Sequence, residues 1–166
     1  MAEWISVYNR RPVDLDPAAL RRSLDDADLW TLAEALDISE DEVDVAIGHL
    51  RVAPGDGGID VHWKASGRPI QIRAVDGARA AGEVAETLDV RLPELNSPGL
   101  ARVREHLGGC AQIVHLEMGI DDARHLGATL GEVLAFSVAT AGDGLVWFFD
   151  QAWASPDNPA ATIWMP

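Results

Sequence analysis

The chain has 166 residues, 48% of them hydrophobic, and carries 27 acidic against 13 basic side chains for a formal net charge of −14. That length suits one domain with a sizeable core, and that charge argues against nucleic-acid phosphate and anionic lipid as partners. The single cysteine, Cys110, excludes an intrachain disulfide and a cysteine-based zinc site, which fits a reducing, cytoplasmic setting.

Twelve Arg against one Lys, with much Ala, Gly and Asp, matches the product of a GC-rich bacterial genome. The opening MAEWISVYNRR lacks a charged segment followed by an apolar one, so no secretory signal is expected. The charge is unevenly spread. Residues 1–60 hold 14 acids and 5 bases, and between Asp25 and Asp44 there are nine acids and no base.

Taken in order, Glu3 to Asn9 reads as a first strand, rich in β-branched and aromatic residues. Asp16 and Pro17 have the chemistry of a helix cap and first helical position, opening a short helix over 18–24. A second helix follows Asp25, Asp26 and Asp28, with Leu29, Leu32, Ala33 and Leu36 as its apolar face. After a sharp turn at Asp37, Ser39 and Glu42 form a Ser-x-x-Glu capping box. The helix it opens is expected to bury Val43, Ile47 and Leu50 and to end near Arg51. Pro54 to Gly58 is a turn cluster. Beyond it, 59–64 and 70–75 alternate apolar and polar residues and predict an antiparallel hairpin. Two small helices come next, over 80–88 and 99–107, the latter capped by Ser97 and Pro98.

Residues 110–153 read as strand, long helix, strand. If the two strands are neighbours they are parallel and the crossover right-handed. The helical run Leu126 to Ala141 contains Glu132 and is too short to span a bilayer, so it is expected to be buried in the protein. Residues 154–166 hold several prolines and Trp164 and predict an arm without regular structure, pinned by its tryptophan. Together these elements predict an α+β fold in a single domain, 1–166. It has one mixed sheet of about five strands, helices mainly on one face, and an acidic helical insertion over 18–51 after the first strand.

Leu32 to Leu50, LAEALDISEDEVDVAIGHL, resembles the helix-turn-helix of bacterial winged-helix regulators, with the hairpin of 59–75 in the position of a wing. The resemblance implies a DNA-reading helix, yet that helix presents Glu40, Asp41, Glu42 and Asp44 and no Arg or Lys before Arg51. Base and phosphate readout depend on cations and amides, so DNA binding ranks third among the functional readings. The second reading is a small enzyme or ligand-binding domain. His115 and Glu117 share a strand face, His125 follows, and His62 with Asp60 shares a face of its own strand. Were the two strands adjacent, His62, His115 and Glu117 would form an acid-base or metal-binding group. No nucleophile elbow, phosphate loop, zinc-protease motif or dinucleotide fingerprint occurs, and no cofactor or metal is implied. Cys110 reads as a structural thiol.

The first reading is therefore a non-enzymatic protein-binding module, of the kind an immunity protein or antitoxin provides against a basic, nuclease-like toxin. Its contact residues would be Asp25, Asp26, Asp28, Glu34, Asp37, Glu40, Asp41, Glu42 and Asp44. The expected partner is a basic protein, not nucleic acid or membrane, and the chain itself a monomer or homodimer.

Overall fold

The computed structural model describes residues 2–94, 96–122 and 126–165; His125 lies outside them. Among these, eight strands form one antiparallel sheet, accompanied by six α-helices and a single π-helical turn. The strands are β1 (Ala2–Asn9), β2 (Arg51–Gly55), β3 (Gly58–His62), β4 (Ile70–Asp76), β5 (Gln112–Gly119), β6 (Gly144–Phe148), β7 (Ala152–Ser155) and β8 (Asn158–Trp164). Their order across the sheet is β2-β3-β4-β5-β1-β6-β7-β8. No helix is long and apolar enough to cross a membrane among the described residues.

The α+β class is as expected, but the count of about five strands is corrected to eight, for local reasons. Arg51–Gly55 follows α3 and contains Pro54, which hid it between a helix end and a turn; it is strand β2, paired with β3 through Arg51↔His62 to Gly55↔Gly58. The run 143–153 is two strands, divided by a tight turn at Phe149 and Asp150, both with positive φ. The supposed irregular arm is largely strand β8, paired with β7 through Trp153↔Trp164. Pro54 and Pro159 occupy the two outermost strands, the places where a missing backbone donor costs no ladder bond and discourages further pairing. The β3–β4 hairpin forms as expected, in the register Ile59↔Ile72. It lies inside the sheet between β2 and β5 instead of projecting as a wing.

The expected crossover is also refined. β5 and β6 are not neighbours, because β1 lies between them and pairs with β6 from Ile5↔Phe148 to Asn9↔Gly144. Ile5, Val7 and Tyr8 are all buried, so β1 is apolar enough on both faces to be an interior strand.

The chain divides into two compact units. The first comprises residues 1–4, 15–73 and 116–134. It holds α1 (Pro17–Asp26), α2 (Leu29–Glu34) and α3 (Glu40–His49). Asp16 caps α1 through the amides of Ala18 and Ala19, Asp28 caps α2 through Thr31, and Ser39 caps α3 through Glu42. Leu20, Leu24, Leu29, Ala33, Val43 and Ala46 are the buried residues of these helices.

The second unit comprises residues 5–14, 74–115 and 135–166. Its core gathers Tyr8, Val84, Leu100, Val103, Leu107, Ile113, Trp147 and Trp153 from α4 (Gly77–Glu86), α5 (Pro98–Gly108) and the strands, with Cys110 and Trp164 packed at its edge. Trp147 and Trp153 stack at 5.1 Å. Tyr8 donates or accepts at Thr87 Oγ1, 3.1 Å away, and burial pushes its pKa up to about 12. Asn9 is fully buried; its Nδ2 donates to Gln112 Oε1, and Gln112 also bonds both backbone groups of Val13. A Cβ at Gly142 or Gly144 would fall 2.3 Å from the Asn9 side chain, so only glycine fits at these positions where α6 (Leu126–Gly142) runs into β6.

Candidate functional site

The nine carboxylates of 25–44 differ in what they touch. Three have local side-chain or capping partners and a fourth, Asp37, has a backbone role. Asp25 pairs with Arg21 at 2.8 Å. Asp28 caps α2, and its bonds from Thr31 hold its carboxyl below the usual range. Asp37 takes the left-handed conformation that ends the α2 turn, with φ 58°, and Asp44 accepts from the Trp30 indole at 3.2 Å. Glu40, Asp41 and Glu42 occupy the first turn of α3, where negative charge complements the helix dipole. Asp26 and Glu34 complete the set; no ion pair joins either of them to a basic side chain among the described residues.

Beside these charges the structure exposes apolar side chains, among them Leu32 and Leu36, which the helix period had assigned to a buried face. Trp30 is 47% exposed, Leu32 41%, Leu36 56% and Val45 61%. Four of the seven large apolar side chains exposed among the described residues therefore lie on these two helices and the turn that joins them. The reason is geometric. α2 has only six residues, so Leu29 and Ala33, four apart, take the buried side and leave Leu32 and Leu36 one position off it. On α3, Val43 and Ala46 turn inward and Val45 outward, while Ile47 is only half-buried.

The histidines are placed differently from the second reading. β4 separates β3, which carries His62, from β5, which carries His115 and Glu117, so the strand adjacency that would gather them is absent. Glu117 instead pairs with Arg68. His115 is held between two other side chains: its Nδ1 lies 2.9 Å from Ser6 Oγ on β1, and its Nε2 lies 2.8 Å from Glu83 Oε2 on α4. Glu83 also meets Arg79 at 3.2 Å. Neither Ser6 nor Glu83 stood out in the sequence, since a serine on a strand face and an acid four residues after an arginine are both commonplace. Among the described residues no three His, Cys, Asp or Glu side chains group closely enough to hold a metal ion.

Known proteins add nothing to this geometry. No family model, curated protein or solved structure matches the chain.

Chemically, the helical pair offers an apolar surface studded with negative charge, suited to a complementary cationic and apolar surface. The Ser6–His115–Glu83 chain offers a hydroxyl, an imidazole and a carboxylate in series, the order of groups found in acyl-transfer triads. Ser6 sits mid-strand opposite Trp147, however, not at the sharp turn that presents a nucleophile. Cys110 donates to the Gln112 carbonyl, and burial raises its thiol pKa, so it stays a thiol and not a thiolate.

Proposed function

We propose that the protein is a non-enzymatic binding module whose α2–α3 face docks a basic protein, in the manner of an immunity protein or antitoxin. The observation that carries this reading is the exposure of Trp30, Leu32, Leu36 and Val45 among carboxylates with no base between Asp25 and Asp44. Acid alone would serve solubility; half-exposed indole and leucine side chains contribute nothing to solubility, and tryptophan is among the residue types that anchor interfaces. Covering the exposed part of Trp30 is worth about 1–2 kcal/mol, and the surrounding charge steers a cationic partner and rejects an anionic one.

Immobilised protein should recover a basic protein from the native host. The lysine variant Asp41→Lys, Glu42→Lys, Asp44→Lys should abolish that recovery, and the charge-neutral Trp30→Ala should weaken it by about tenfold. Recovery sensitive to charge reversal but indifferent to Trp30→Ala would describe a mere ion exchanger and overturn the reading.

A second reading, enzymatic, is favoured by one observation, the Ser6–His115–Glu83 chain. In it His115 draws the proton from Ser6 while Glu83 steadies the imidazolium. A fluorophosphonate probe distinguishes the two: the binding-module reading expects no adduct on Ser6, and an adduct lost in His115→Ala would replace it with the enzymatic one.

A further inference from the structure

The second unit contains a cleft of about 500 Å³, the volume of a small-molecule site. Three arginines line it: Arg10 and Arg11 from the segment after β1, and Arg102 from α5. Three acidic residues line it as well: Glu105 from α5, Asp143 between α6 and β6, and Asp157 from the β7–β8 turn. Elsewhere five arginines, Arg21, Arg22, Arg68, Arg79 and Arg91, take acidic neighbours. Within the cleft, no ion pair joins any of the six charges to another among the described residues. They are balanced in sign, and Asp157 accepts one hydrogen bond, from Ser155 Oγ at 3.4 Å.

We propose that this cleft binds a small zwitterion, a molecule of the amino-acid or short-peptide class that presents a carboxylate to the arginines and an ammonium group to the acids. Guanidinium forks match a carboxylate in a bidentate way that a point cation does not. A bare anion is a poorer complement, because Glu105, Asp143 and Asp157 would repel it. His106, buried in the cleft wall, supports the amine half. Its Nε2 donates to the Tyr8 carbonyl at 2.7 Å, which leaves Nδ1 as the acceptor of the neutral ring. Burial, with Arg10 and Arg102 nearby, lowers its pKa and keeps the ring in that neutral form. The backbone also holds the rim: Arg11 N–H donates to the Gly142 carbonyl at 2.9 Å and Arg10 N–H to that of Asp143 at 3.4 Å. The arginine-bearing segment is thereby fixed before any ligand arrives.

Thermal denaturation of the full chain tests this, with the common L-amino acids and glycylglycine added singly at matched ionic strength. Acetate, methylammonium and inorganic phosphate serve as single-charge controls. At least one zwitterion should raise Tm in a concentration-dependent way while the controls leave it unchanged. Arg102→Gln and Glu105→Gln should each remove the shift, and Arg73→Gln, outside the cleft, should keep it. Both cleft residues are exposed, so the variants should melt like the parent without ligand. Ligand-detected NMR on the parent chain gives a second measure that does not depend on any variant. No response to any zwitterion by either method overturns the proposal. So does an equal response to acetate or phosphate, which would mean a plain anion site, or a shift that survives both cleft substitutions.

Discussion

His106 shows how a single side chain acquires a property its position in the sequence does not announce. It stands on α5 four residues after Arg102, on a helix whose apolar stripe of Leu100, Val103 and Leu107 was legible from spacing alone. The fold buries its ring to 6% exposure and gives it the Tyr8 carbonyl as partner. Burial, the larger cause, lowers its pKa from the ordinary 6.5, and the Tyr8 bond only partly opposes this. The sign follows directly. Between the depressed folded value and 6.5 the unfolded chain binds a proton that the folded chain does not, so this group's contribution is intact above about pH 6.5 and is lost as pH falls below it. Denaturant unfolding should show stability declining from about pH 7 to pH 5.5. His106→Gln, which keeps a donor for Tyr8, should make the decline shallower; identical slopes would show that His106 is not a source of it.

At the scale of elements, helix starts were legible and strand ends were not. Asp16 with Pro17, Ser39 with Glu42, and Ser97 with Pro98 each place a side-chain acceptor before a helix, and each caps as the residue types require. The β6–β7 connection gave no such signal. It is a three-residue connection, 149–151, in which Gln151 N–H donates to the Phe148 carbonyl at 2.8 Å, with φ of 49° at Phe149 and 56° at Asp150. Turns of this hand normally use Asn-Gly or Asp-Gly, so Phe149-Asp150 inside an aromatic run reads as continuous strand. Asp150→Gly should relieve a left-handed cost of about 0.5–1 kcal/mol. The exposed contact with Arg91 that it forfeits is worth little, since Arg91 retains Glu86. Tm should rise by about 1–3 °C, and Asp150→Val should lower it. A fall with glycine would show that the turn depends on the aspartate and not on its backbone angle. β8 escaped notice for a related reason: its proline signals irregularity, yet an edge strand tolerates proline because one row of its amides faces no neighbour.

At the scale of the whole molecule, the sequence by its composition and local periodicity determined the α+β class, the acidity concentrated between Asp25 and Asp44, and the exclusion of an intrachain disulfide. Those follow from local periodicity and from charge, which need no partner in space to be counted. Only the tertiary structure decided that β1 separates β5 from β6 and that β4 separates His62 from His115 and Glu117. Strand order depends on which apolar faces bury best against each other across the full chain, and a period of two along one strand is blind to that choice. The same holds for His115 between Ser6 and Glu83, residues 109 and 32 positions away along the chain. It holds also for the outward turn of Leu32 and Leu36, which the helical stripe would place inside. Sequence named the chemical groups; packing over long separations chose which of them meet and which face solvent.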